Sequence, residues 1–297
     1  MWFGVSLLLV LGVVAGAFFW IYPKIEPAPD IQIEKTSARL ERGKYLVNHV
    51  TVCMFCHGDR YWNYYSAPNI AGTEGKGGQL FNRVMGFQGD LYIPNITPYV
   101  LQEWSDGELV RAIVSGIHKE GQALSPFMPY TIYQHLAEED LYAIVAYIRT
   151  LKPIEYQVPP SEIDWWVNLL VRMVPEPYQA KTLPKKGSIA YGKYLANIGG
   201  CADCHTNLQE KGPEFAGGQK IILPDGSVNV TPPLLPDDEG KIARMTVEQF
   251  VQRFQSFANP ARKKQKVEGS QTIMPWTMYA HLEEQDLKAI YQYLQTL

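Results

Sequence analysis

The hydrophobic pattern changes character once along the chain. Residues 1–22, MWFGVSLLLVLGVVAGAFFWIY, hold no charged side chain and only Ser6 as a strongly polar one. That run reaches the roughly 20 apolar residues needed to cross a bilayer as a helix. Trp2, Trp20 and Tyr22 stand near its ends, where amphipathic rings prefer the interface. The run is longer than a signal-peptide core and lacks a basic leader, so it predicts an uncleaved single-pass membrane anchor over residues 1–23. Further on, the period becomes that of amphipathic helices. Leu141, Ile144, Val145 and Ile148 share one helical face, as do Leu287, Ile290, Tyr291 and Leu294. Capping boxes, Ser105 with Glu108 and Thr246 with Gln249, open two more helices. The intervening loops are long, rich in Gly and Pro, and show no strand alternation. The pattern predicts an all-α fold whose few helices bury too little alone and need an internal group to pack on.

The chain also echoes itself. GKYLVNHVTVCMFCHGD (43–59) returns as GKYLANIGGCADCHTN (192–207), and NITP (95–98) as NVTP (229–232). MPYTIYQHLAEEDLYAIVAYIRTL (128–151) returns as MPWTMYAHLEEQDLKAIYQYLQTL (274–297). These echoes divide the chain into an anchor (1–23), a linker (24–35), a first module (36–152), a Pro-rich linker (153–186) and a second module (187–297). Within the Pro-rich linker, EIDWWVNLLVRMV is an apolar helical segment, expected as core between the modules, with a partner subunit or the membrane surface as the other resting place for Trp165 and Trp166.

Composition excludes two classes. A hydrophobic share of 46% and a charged share of 19% describe a folded chain, not a disordered one. A net charge of −3 and the absence of a basic stripe argue against nucleic-acid binding. The short cluster Arg262, Lys263, Lys264 and Lys266 reads as a solvated loop.

All four cysteines lie in C-x-x-C-H pentapeptides: Cys53, Cys56, His57 and Cys201, Cys204, His205. A redox dithiol needs a βαβ setting that is not visible, and a zinc clip needs further ligands at each motif. C-x-x-C-H is the attachment signature of c-type haem, with two thioether bonds and an adjacent imidazole for iron. The sequence therefore predicts two covalently attached haem c groups. Met128 and Met274, each before a proline and at matching positions, are the candidate opposite ligands; a thioether favours ferrous iron and raises the potential. Met85, Met173 and Met245 have no counterparts, and Met278 matches Ile132. His118 is the rival at the first haem, His49 reads as a solvated helix residue, and His135 and His281 as structural hydrogen-bonding groups.

With these motifs the chain resembles tandem class I cytochromes c, in particular membrane-anchored dihaem cytochromes of respiratory chains and the cytochrome subunits of alcohol and gluconate dehydrogenases. The resemblance implies haem bound at Cys53/Cys56 and Cys201/Cys204, with His57/Met128 and His205/Met274 as axial ligands. It implies that the first and last helices of each module cross at Gly43 with Tyr147 and at Gly192 with Tyr293. It also implies both haem modules on the periplasmic side of the cytoplasmic membrane, although Lys24, Lys35, Arg39 and Arg42 follow the apolar run, against the positive-inside tendency. The expected activity is single-electron transfer, with no catalytic site of its own, between a soluble or membrane donor and acceptor within a respiratory or dehydrogenase complex. A dihaem peroxidase with one open iron is the alternative. The dehydrogenase subunits carry three haem motifs where this chain has two, which favours the respiratory setting.

Overall fold

The computed structural model describes residues 2–24, 26–236, 242, 244–267 and 271–297; at residues 2–5, 7–9 and 15 it describes backbone only. In chain order the helices are α1 (Trp2–Ile21), α2 (Ser37–Tyr45), α3 (Met54–His57), α4 (Pro98–Leu101), α5 (Asp106–Ser115), α6 (Tyr130–Tyr133) and α7 (Glu138–Ile148). They continue with α8 (Trp165–Val171), α9 (Ile189–Ile198), α10 (Cys201–His205), α11 (Val247–Gln255), α12 (Pro260–Lys263), α13 (Trp276–Tyr279) and α14 (Glu284–Leu294). The strands are β1 (Leu80–Phe81), β2 (Gly89–Tyr92), β3 (Glu162–Ile163), β4 (Lys220–Ile222) and β5 (Val228–Val230).

Those strands correct the all-α expectation. β2 pairs antiparallel with both β1 and β3, and β4 with β5 in register Lys220↔Val230. β4 and β5 form a hairpin that turns at Gly226 (φ +80). The anchor expectation is corrected too. Among the described residues, no helix is long and apolar enough to cross a membrane. Met1 and the side chain of Trp2, which belonged to that expectation, lie outside the described residues. The placement as a single-pass protein of the cytoplasmic membrane rested on this anchor and falls with it.

The chain forms two compact units. The smaller comprises Met1–Gln32, Trp104–Gln134 and Asp164–Gln179. Here the Ser105–Glu108 capping box opens α5 as the sequence predicts, with Glu108 N–H donating to Ser105 Oγ at 3.1 Å and Ser105 N–H to Glu108 Oε2 at 2.7 Å. α5 ends at Gly116 (φ +68), where a Cβ would strike the fully buried ring of Tyr130 in α6. Arg111 ties the unit together by donating to the carbonyls of Glu26, His118 and Lys119. The segment around α8 is not the core expected of it: no α8 residue is buried, and Trp165 is 77% exposed.

The larger unit comprises Ile33–Glu103, His135–Ile163 and Ala180–Leu297. Two helix crossings form its core, α2 on α7 and α9 on α14. Gly43 permits the first, since a Cβ there would overlap the Ala143 carbonyl and approach Tyr147 Cβ at 2.7 Å. Gly192 permits the second by approaching the Ala289 carbonyl and Ile290 N, so the near neighbour is backbone and not Tyr293. Leu141, Ile144, Val145 and Ile148 are buried on α7, and Leu287, Ile290 and Leu294 on α14, as their spacing predicts. The Thr246–Gln249 box caps α11.

Candidate functional site

Both C-x-x-C-H motifs fold into short helices held by backbone. In α3, His57 N–H donates to the Cys53 carbonyl at 3.0 Å, and Cys53 N–H donates to Val47 at 2.9 Å. The second motif forms α10, entered through Gly200 in the left-handed region (φ +68). All four cysteines are free thiols. Burial pushes the thiols of Cys56 and Cys201 up to about 12, the reverse of the depression a redox dithiol needs. Among the described residues, no group of three or more His, Cys, Asp or Glu side chains is placed to hold a metal ion.

The two histidines are prepared alike. His57 is 7% exposed and donates from Nδ1 to the Pro94 carbonyl at 2.9 Å; His205 is 8% exposed and donates from Nδ1 to the Pro232 carbonyl at 2.8 Å. A carbonyl can only accept, so Nδ1 carries the proton and Nε2 keeps its lone pair. Burial lowers both imidazole pKa values, with the proline bonds opposing, so each ring is neutral at pH 7. A buried, neutral imidazole with an oriented Nε2 beside two free thiols fits covalent haem c.

Matching hairpins deliver those carbonyls. Gly77 N–H donates to His57 O and Gly78 N–H to Ile93 O; Gly217 N–H donates to His205 O and Gly218 N–H to Thr231 O. All four glycines have positive φ, and a Cβ at Gly77 or Gly217 would meet the proline segment it faces. Structurally Pro94 therefore corresponds to Pro232, four residues away from the pairing the NITP and NVTP echo suggests. The sequence reading missed these residues, although GGQ at 77–79 and at 217–219 was there to find. Gln79 Nε2 reaches the carbonyls of Phe55, Cys56 and Gly58 at 2.8, 3.0 and 2.5 Å, closing the C-terminal end of α3.

Met274 lies in the larger unit with both C-x-x-C-H motifs and His205; Met128 lies in the smaller unit. Each methionine carbonyl accepts from the N–H two residues on, Tyr130 at 2.7 Å and Trp276 at 2.8 Å, so both sit at the turn that opens a short helix. After Met274, α13 brings Tyr279 against the second motif, where its hydroxyl donates to Gly199 O at 2.7 Å. Burial, then the neighbouring Cys201 and Cys204, holds the Tyr279 pKa well above its ordinary value. His118 packs edge-on against Trp104, 4.7 Å between centroids. His49 is no solvated residue: it is half-buried, donates from Nδ1 to Met278 O at 3.1 Å and lies 5.1 Å from the His281 ring.

Residues 189–297 match the family model for cytochrome c, and a cytochrome c domain implies covalently bound haem c. The match covers one such domain, which corrects the expectation of two tandem class I domains. The chain is similar to the cytochrome c subunit of a quinone alcohol dehydrogenase from Gluconacetobacter polyoxogenes, 27% identical over 88% of this chain and 56% of that subunit. It is also similar to the gluconate 2-dehydrogenase cytochrome c subunit of Pantoea cypripedii, 25% identical over 89% of this chain and 60% of that protein. A diheme cytochrome c-type protein of Cereibacter sphaeroides is 25% identical over 85% of this chain and 86% of its own length. The chain thus spans little more than half the length of these alcohol and gluconate dehydrogenase subunits.

Proposed function

We propose that this chain is a dihaem c-type electron carrier serving as the cytochrome subunit of a dehydrogenase or respiratory complex. One haem is held by Cys53 and Cys56 with His57 on its iron, the other by Cys201 and Cys204 with His205; Met128 and Met274 supply the opposite ligands. The observation that carries the reading is the shared preparation of His57 and His205, each neutral, buried and oriented through Nδ1 by a proline carbonyl. Haem supplies reversible one-electron chemistry when bound. The protein's part is to orient the imidazoles, keep them unprotonated, and present thiols that are protonated until they are joined to the group. The names of the dehydrogenase relatives support a place among partner subunits that donate and accept electrons. The match to a diheme protein over most of both chains supports two haems rather than three.

A haemochrome assay on the purified chain, combined with ferric EPR, tests this. Two covalent haems per polypeptide, both low-spin, are expected. A single haem would sink the dihaem reading, and a high-spin haem that turns over peroxide would replace the carrier with a peroxidase.

A further inference from the structure

Between the first motif and Ile70 the chain makes an excursion, DRYWNYYSAPN, that the second half lacks, and its contacts lead to Met274. Ser66 Oγ donates to the Met274 carbonyl at 2.7 Å and accepts from Trp276 N–H at 3.0 Å, so one hydroxyl spans the Met274–Pro275 turn. Ser66 N–H donates to Gln271 Oε1 at 2.9 Å, while Gln271 Nε2 donates back to the carbonyls of Trp62 and Tyr64 at 2.9 and 2.8 Å. Tyr65 N–H donates to Gln265 O at 2.8 Å, and the Tyr65 ring stacks on Phe257, which stacks on Trp276. Ser66 is 1% exposed and holds φ +65, a conformation that a non-glycine residue adopts only when its surroundings over-determine it.

The excursion is in turn fixed to the first motif. Arg60, 7% exposed, lies between the rings of Phe55 and Trp62, 3.6 and 4.4 Å from their centroids. It donates from Nε to Ala67 O at 2.8 Å and from Nη2 to Ser66 O at 3.3 Å. Phe55 lies between Cys53 and Cys56, so a continuous chain of contacts runs from the first haem motif through Arg60 to the Ser66 hydroxyl and the Met274 backbone.

We propose that Ser66 is a positioning residue for the Met274 thioether, by which the first haem motif sets the ligand geometry of the second haem. The inference rests on the reading above that Met274 ligates the second iron. Fixing the carbonyl of Met274 and the next helical N–H with one buried hydroxyl fixes the direction in which the side chain leaves the turn. Removing the hydroxyl frees that turn without touching any ligand.

The test uses the haem-loaded full chain in three variants: Ser66→Ala, Ser66→Gly and, as benchmark, Met274→Ala. Glycine adopts positive φ freely, so Ser66→Gly removes the hydroxyl without backbone strain and remains usable if the alanine variant folds poorly. The readouts are the thioether-to-iron charge-transfer band during alkaline titration and the potential of each haem. Two lost hydrogen bonds predict about a tenfold rise in the equilibrium constant for losing the thioether ligand in both Ser66 variants. The second haem's potential should fall toward that of Met274→Ala, while the first haem's band stays unchanged. If Met274→Ala alters the second haem but Ser66→Gly leaves it as in wild type, the positioning role is overturned and the ligand reading stands. If Met274→Ala itself changes nothing, the ligand reading fails first.

Discussion

The Tyr45 hydroxyl donates to Oδ2 of Asp286 at 2.8 Å, and a matching pair runs the other way: Tyr194 donates to Oδ2 of Asp140 at 2.7 Å. Each tyrosine follows the helix-crossing glycine of one half, and each aspartate lies on the last helix of the other half. The same hydroxyls also accept from backbone N–H groups, Glu283 at 3.1 Å and Ala137 at 3.3 Å. The exchange breaks symmetry at one place. Arg42 grips Asp140 in two bonds of 2.8 and 2.7 Å, whereas its counterpart facing Asp286 is Tyr191, at 3.5 Å. Asp286 is therefore fully buried among tyrosines, with Oδ1 lacking a partner.

That asymmetry has a pH signature. Burial raises the Asp286 pKa, with the Tyr45 bond opposing and Glu283 adding to the rise. The folded chain then holds this proton more tightly than the unfolded one, whose aspartates titrate near about pH 4. Its stability contribution is complete below that pH and is lost as pH rises through the folded value. Urea unfolding across pH should show wild type losing stability over this window and Asp286→Asn losing less. Parallel profiles for the two proteins would refute the assignment.

The glycine crossings predict large, local losses. Gly43→Ala and Gly192→Ala each drive a methyl into a backbone carbonyl, Ala143 or Ala289, which cannot swing aside. Overpacking of this kind costs about 1–3 kcal/mol. Chemical denaturation should place both variants in that range or beyond, while Gly226→Ala, where a Cβ meets nothing within 4 Å, pays only for its positive φ.

Gln79→Ala should weaken the first motif more than Gln219→Ala weakens the second. Gln79 satisfies three carbonyls around α3, whereas Gln219 accepts from Leu208 N–H at 3.1 Å and reaches Lys220 O at 3.4 Å. Leaving buried acceptors unpaired costs about 1–3 kcal/mol. The low-spin spectrum of the haem at Cys53 and Cys56 should be lost at lower urea concentration in the Gln79 variant than in wild type. Equal shifts in the two variants would contradict this.

Trp165→Ala should leave stability within about 0.5 kcal/mol of wild type, because a side chain 77% exposed contributes little packing. A thermal shift of several degrees would show that the indole is covered after all.

What the sequence determined by itself is local chemistry. C-x-x-C-H dictates its own short helix and its two thiols, the apolar spacing at 141–148 and 287–294 dictates which faces are buried, and Ser105 and Thr246 dictate where helices start. These follow from interactions a few residues apart. The expected span at residues 1–23 and the expected core at Trp165 were read from hydrophobicity alone, which states what a side chain prefers and not what covers it. Strands β1–β5 were hidden because two to four residues carry no legible period. Tertiary structure alone decided that Pro94 and Pro232 orient the histidines, that Tyr45 and Tyr194 exchange aspartates across the halves, and that Ser66 holds the turn at Met274. Each of these joins residues distant in sequence through a backbone carbonyl, a buried carboxylate or a hydroxyl whose partner is chosen by the packing of other elements, and no short stretch of sequence encodes such a choice.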